Sequence, residues 1–352
     1  MPSESNIQYK PTSLINFACS ILSAAGLSSD RSKIVAEVLV EADLMGHTTH
    51  GLKLLTTYAN ELESGGMCSI GDPEVINDQG SAITWNGNYL PGPWLVQKAL
   101  DLALERIENH PVVTIVIQKS HHIACLAAYL ERVTYLGYFI LLSCSDPKNK
   151  TVAPFGGTKG VYSPNPIAAG IPTRSQPILL DVSMSATSNA SVKRAFDAAE
   201  SLQHPWLLTR DGEVTDDPGT FYANNPSTIL PLGNLDTGYK GYAMGLMVEA
   251  LTNALCGYGR KDEPNKWMAS VFIQLINPQS FAGINDFKNE TQHLVDSCTN
   301  PENTDVRMPG GKALKLKAEQ KVNGLMLSPE IIASLKQLSL RYSILFSDQA
   351  SN

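Results

Sequence analysis

The chain has 352 residues, 43% hydrophobic and 17% charged, long enough for two or three domains around a well-buried core. Its formal net charge of −7, without a long basic run, excludes an electrostatic attraction for nucleic acid or an anionic bilayer. The most apolar stretch, residues 138–144, is too short to span a membrane, so no membrane partner is expected.

The opening residues MPSESNIQYKPTS have neither the basic nor the apolar region of a secretion signal, so a cytoplasmic location is expected. Six cysteines (Cys19, Cys68, Cys125, Cys144, Cys256, Cys298) are scattered without a CxxC pair. They read as free thiols, and no metal site is expected.

Residues 12–58 read as helical. Pro11 and Thr12 precede a stripe of Leu14, Phe17, Ile21 and Leu22 that stops near Gly26. Ser28 or Ser29 caps a second helix with Asp30 in its first turn, and Gly46 is its expected stop. His47-Thr48-Thr49-His50-Gly51 then emerges at a helix end. Residues 82–85 read as a short strand, 95–107 as an amphipathic helix and 112–117 as a buried β-branched strand. A helix over 125–135 and a strand over 138–144 complete an α, β, α, β alternation, which argues for a layered α/β domain. A Gly- and Pro-rich loop follows, then a strand over 178–182 and an irregular stretch over 207–232. A helix from 241, a strand over 271–276, a helix over 287–295 and a last helix after Ser328-Pro329 close the chain.

Several clusters carry chemistry. His47, Thr49 and His50, with Tyr58, suit carboxylate binding or proton transfer, against surface histidines at a turn. Ser120-His121-His122 ends a buried strand, where open α/β sheets collect ligands. Interconverting a hydroxyl and a carbonyl needs a proton donor or acceptor, and histidine suits that task. On a strand only one of His121 and His122 faces a given site; two structural histidines are the alternative. Phe155-Gly156-Gly157 allows close backbone approach to a phosphate, or is an ordinary tight turn. Lys240, before a helix starting at Gly241, adds charge to an anion-binding helix end, or is a surface lysine. Asp181 ends a strand, placed to contact a ribose or nicotinamide or to cap the next turn. Neither GxGxxG nor GxxxxGK[ST] is present, and neither paired carboxylates nor GxSxG supports hydrolysis.

Taken in order, these segments resemble the type 2 malate/L-lactate dehydrogenase family over about residues 12–340. The resemblance rests on Ala42-Asp43-Leu44-Met45-Gly46-His47, Thr49-His50-Gly51, Ser120-His121-His122 and Val152-Ala153-Pro154-Phe155-Gly156-Gly157. It continues through Asn165-Pro166, Leu180-Asp181, Asp216-Asp217-Pro218, Gly238-Tyr239-Lys240-Gly241-Tyr242, Ile276-Asn277-Pro278 and Met308-Pro309-Gly310. It implies a non-Rossmann α/β fold. Residues 1–120 with 300–352 would form a substrate and dimerisation domain, and 121–299 a dinucleotide-binding domain with a mixed sheet. It implies a homodimer and hydride transfer between NAD, with NADP as the alternative, and a small 2-hydroxy or 2-oxo acid. His122 and His50 match the family's active-site histidines, His122 being the proton donor/acceptor. Thr49, Tyr58 and Ser120 are the expected substrate-binding residues. Asp181, Val182, Ser183, Lys240, Gly156, Gly310 and Gly311 are the expected cofactor contacts.

Four places depart from the family's pattern. Leu54 stands where many members carry an arginine suited to a substrate carboxylate; the hydroxycarboxylate dehydrogenase B branch also lacks that arginine, and Leu54 suggests a bulkier or more apolar acid than lactate. Ala124 replaces a glycine, Ala190-Ser191 a Gly-Lys pair, and Gly311 an acidic or amide residue. A cyclic-imine reductase (of a piperideine or pyrroline carboxylate) on the same fold, and a binding protein on a decayed dehydrogenase scaffold, are the alternative readings.

Overall fold

The computed structural model describes residues 7–303 and 305–346. β1 (Gln8–Tyr9) leads into α1 (Pro11–Ala24) and α2 (Ser29–Leu44). Proline at the first position opens α1, and Ser28 precedes α2 with Asp30 in the first turn, where a carboxylate meets the positive helix end. Two 3-10 turns, Thr48–His50 and Leu52–Leu54, connect to α3 (Leu55–Ser64).

Next come β2 (Glu74–Asp78), β3 (Ala82–Asn86), α4 (Gly92–Arg106) and β4 (Val112–Ser120). After a 3-10 turn at Leu126–Tyr129 follow α5 (Leu130–Tyr135), β5 (Phe139–Ser145), β6 (Ile167–Ile171), β7 (Ile178–Val182) and α6 (Asn189–Asp197). The stretch expected to be irregular contains three two-residue strands, β8 (Leu207–Leu208), β9 (Val214–Thr215) and β10 (Thr228–Ile229), in a small antiparallel sheet. α7 (Asn234–Glu249) runs into a π turn at Ala250–Ala254, and β11 (Ala269–Ile276) and α8 (Ile284–Cys298) follow. The chain closes with α9 (Gly311–Asn323), β12 (Leu325–Met326) and α10 (Pro329–Tyr342).

The main sheet has seven strands in the order β2-β3-β4-β11-β5-β6-β7. Only β3 and β4 are parallel neighbours, so the sheet is mixed, as expected. β11 lies between β4 and β5 and is antiparallel to both, so β4 and β5 run the same way with β11 inserted. Alternation sets the two faces. Val113, Ile115, Ile117, Ile273 and Leu275 join the principal core under α4 and the N-terminal helices. Val116 and Phe272 face the opposite side and pack with Leu251 and Cys256 at the end of α7. The sheet takes strands from both sides of residue 120.

The two ends of the chain meet. β1 pairs with β12, matching Gln8 to Met326 and Tyr9 to Leu325. Lys317 of α9, almost fully buried, is ion-paired to both Glu41 of α2 and Glu131 of α5. One expectation needs correcting. The helix expected to begin at Gly241 begins at Asn234, and its non-helical residue is Thr237 (φ −126°, ψ 15°). Lys240 therefore lies inside α7 rather than before it. No helix among the described residues is long and apolar enough to cross a membrane.

Candidate active site

The first part of the site hangs from the end of α2. Asp43, in its last turn, buries its carboxyl and accepts the Leu52 amide at 2.7 Å. A side chain at Gly51 would put its Cβ 2.3 Å from that carboxyl. Glycine is thus what lets the loop carrying Thr49 and His50 fold over Asp43. Burial pushes the Asp43 carboxyl up to about 7.

The second part leaves β4. His121 and His122 lie beyond the last residue of the strand, not on it. Ser120, fully buried, turns its hydroxyl to the His121 carbonyl at 2.8 Å. Because β11 pairs Ala269 with Ser120, the antiparallel register brings Trp267 beside the two histidines. Its ring lies 4.7 Å from that of His122 at an interplanar angle of 26°, and 4.9 Å from that of His121 at 72°. His121 is buried against Glu61 (Nε2 to Oε2, 3.3 Å), while His122 opens onto a cavity of about 480 Å³. Only one of the pair faces the site, because the chain turns after the strand.

His47, Thr49, His50, Leu54, Asp146, Asp181, Ser183 and Trp267 also line this cavity. The rings of His50 and His122 are 5.8 Å apart and inclined by only 21°. The Thr49 hydroxyl is 2.9 Å from Nδ1 of His50. The Tyr58 hydroxyl is 2.9 Å from Nδ1 of His122 and donates to the His122 carbonyl at 3.1 Å. The Ala124 amide also donates to Nδ1, at 3.3 Å, so Tyr58 and Ala124 together hold the ring at Nδ1 and Nε2 is the ring nitrogen left for a substrate. Burial, reinforced by the neighbouring imidazoles, holds His122 well below the usual histidine range, and burial with the charge of His47 brings His50 down to about 4.

A second cavity, of about 670 Å³, shares His47 and Asp181 with the first. It is lined by Val182, by Arg307, Pro309, Gly310 and Lys312, and by apolar Leu179, Met308 and Leu316. Gly310 precedes α9 at φ +81°, and a Cβ there would fall 2.6 Å from Leu179. The close approach explains the glycine and leaves the first amides of α9 at the cavity rim. Two cavities with a shared wall, one with imidazoles and one with a helix N-terminus and two cations, fit a dinucleotide whose phosphates carry negative charge. Asp181, on that wall, accepts the Ala127 amide at 2.9 Å, and burial raises its carboxyl pKa against the opposing charge of His47. Donor atoms of His47, Cys125 and Asp181 lie within 4.8 Å of one another, a spacing that would admit a metal ion.

Residues 9–336 match the malate/L-lactate dehydrogenase family. The chain belongs to that family. It is 29% identical to the L-lactate dehydrogenase of Cupriavidus necator, over 93% of this chain and 96% of that one. It is 24% identical to hydroxycarboxylate dehydrogenase B of Escherichia coli, over 92% and 91% of the two chains. The crystal structure of malate dehydrogenase from Entamoeba histolytica superposes with a TM-score of 0.88 at 21% identity, covering 96% of this chain and 99% of that one.

Set on this malate/L-lactate dehydrogenase fold, the expected residues divide. His50, His122, Thr49, Asp181 and Ser183 meet at the first cavity, and Val182 and Gly310 line the second. Tyr58 and Ser120 line neither; both are buried behind the histidines. Gly311 is the first residue of α9, next to Gly310. Gly156 sits in an exposed turn, and Lys240 is exposed on α7 with its ammonium 5.8 Å from the Tyr239 ring; neither reaches these two cavities. Trp267, Asp43, Asp146 and Arg307 were not singled out from sequence. Trp267 in particular stands in an irregular segment, and only the pairing of β11 with β4 brings it to His122. Ala124, at φ +58°, occupies a left-handed conformation that glycine adopts without strain, which is the physical sense of that departure.

Proposed function

We propose that this family member is a nicotinamide-dependent dehydrogenase that interconverts a small 2-hydroxy acid and its 2-oxo acid. The observation that carries the reading is His122, held at Nδ1 by Tyr58 and lining a cavity that shares His47 and Asp181 with a second, cationic one.

When bound, the nicotinamide ring accepts or returns hydride. In oxidation, Nε2 of His122 takes the proton of the substrate hydroxyl; in reduction it returns a proton to the carbonyl oxygen. The low pKa that burial gives His122 keeps it a free base in the unliganded protein. A substrate carboxylate brought beside it favours the imidazolium that the reduction needs. His50, with Thr49 on its Nδ1, orients that carboxylate. Asp181, Val182, Ser183, Gly310 and Gly311 hold the dinucleotide, with Arg307 and Lys312 beside its phosphates. NAD is the proposed cofactor, NADP the alternative, in a cytoplasmic homodimer. A contact between subunits would have exposed apolar side chains of α7 to cover, among them Leu235, Tyr239, Leu246 and Met247.

The test is a panel of 2-oxo acids and cyclic imines, read by absorbance loss of NADH and of NADPH. Turnover of 2-oxo acids with NADH supports the reading; turnover of cyclic imines alone would replace it.

A further inference from the structure

We propose that Trp267 and Leu54 make the substrate end of the cavity a compartment for a large apolar side chain, so that the acid is a monocarboxylate with an aromatic or branched side chain rather than a dicarboxylate. The proposal deepens the reading above and rests on it for the acid's reacting end.

The first argument is charge. Among the described residues, no lysine or arginine lines the cavity that holds His50 and His122, and two aspartates, Asp146 and Asp181, do. Nearby cations are engaged elsewhere. Lys53, next to Leu54, is paired with Glu330 at 2.8 Å. Lys266, next to Trp267, reaches the Gly65 carbonyl at 3.1 Å and lies over the Tyr89 ring. Lys119, just before the histidines, lies over the Tyr258 ring at 4.5 Å. Arg260, which donates to the carbonyl of the cavity-lining Asn149, is held by Glu249 at 2.7 and 3.0 Å. The imidazoles of His50 and His122 serve the one carboxylate every 2-oxo acid carries. A second carboxylate would enter a partly desolvated space that already holds two acidic side chains and no lysine or arginine, and whose remaining imidazole, His47, lies against Asp181.

The second argument is shape. Leu54, Leu126, Trp267 and Met268 are cavity-lining apolar side chains, and Trp267 is packed in place by His121, His122 and Tyr58. An indole fixed this way offers a flat surface for an aromatic or branched side chain to pack against. Methyl, the side chain of pyruvate, would leave that surface uncovered.

The experiment compares kcat/KM for phenylpyruvate, 4-methyl-2-oxopentanoate, pyruvate and oxaloacetate on the intact chain with NADH. Phenylpyruvate or the branched acid should exceed oxaloacetate by about 100-fold and pyruvate by about 10-fold. Leu54→Arg should raise oxaloacetate and lower phenylpyruvate, each by about 10-fold. Calorimetric binding of 3-phenyllactate and malate to the unmodified chain with NADH, a pair that cannot exchange hydride, adds a readout independent of turnover and of whether the variant folds. Tighter 3-phenyllactate binding supports the proposal even if no acid turns over, an outcome that would overturn only the dehydrogenase reading. Oxaloacetate reduced as well as phenylpyruvate, or malate bound as tightly as 3-phenyllactate, overturns it.

Discussion

The hydroxyl of Tyr58 touches His122 twice, at Nδ1 (2.9 Å) and at the backbone carbonyl (3.1 Å). Tyr58 is fully buried on α3, so an element of the N-terminal region fixes the orientation of a ring delivered by β4. The tyrosine is a positioning residue. Tyr58→Phe removes both bonds and leaves Nδ1 with the longer contact to the Ala124 amide alone. We expect kcat to fall by roughly 10-fold, from a loss of about 1–2 kcal/mol, while KM for the dinucleotide is unchanged. Steady-state kinetics in both directions would check this; unaltered kcat would show that Tyr58 only fills space.

A histidine held below its usual range changes the pH response in a definite direction. His50 is brought down to about 4, and His122 is also lowered, in both cases chiefly by burial. The free bases therefore persist as pH falls through 6.5, the ordinary histidine value. Hydroxy-acid oxidation should keep its kcat/KM between about pH 8 and 6. A decline centred near 6.5 would contradict the assignment. Folding stability has the same sign for this group. The contribution is intact above 6.5 and is lost as pH falls toward 4, because the unfolded imidazole takes a proton that the folded one does not.

Gly51 and Asp43 make a steric prediction. Gly51→Ala sets a methyl group against the buried Asp43 carboxyl, whose position the Leu52 amide fixes. The loop bearing Thr49 and His50 must shift. Expected are a stability loss of about 1–3 kcal/mol in thermal or denaturant unfolding and a larger proportional loss of activity. Wild-type stability and activity would show that Asp43 yields instead.

Lys317 joins α9 to α2 and α5 through Glu41 and Glu131. Lys317→Met leaves two partly buried carboxylates without their cation, at a cost of about 3 kcal/mol in denaturant unfolding. Adding Glu41→Gln and Glu131→Gln should recover part of that loss. No change in the single variant would mean that solvent already screens the pair.

The same lysine shows why part of the fold was hard to read. Along α9 only Leu314 and Lys317 are buried, so the inward face carries a charge and has no apolar stripe to reveal it. β2 is exposed at all five positions and has no buried face to give an alternation. By contrast, α1, α2 and α4 declare themselves through helical spacing and β4, β5 and β7 as short apolar runs, and their predicted positions agree with the structure to within a few residues. Of the site, His50, His122 and Asp181 were legible because their order along the chain resembles a known pattern. Trp267 was not, because its place beside His122 follows from a strand pairing distant in sequence. Nor was the sharing of His47 and Asp181 by the two cavities, which needs α2 and β7 to meet in space.

The most direct measurement is turnover and NADH binding by His122→Ala on the same preparation. If His122 exchanges the proton with the substrate oxygen, kcat falls by about 100-fold or more while NADH binds with unchanged affinity. Turnover within a few-fold of the unmodified chain, with NADH still bound, would contradict it.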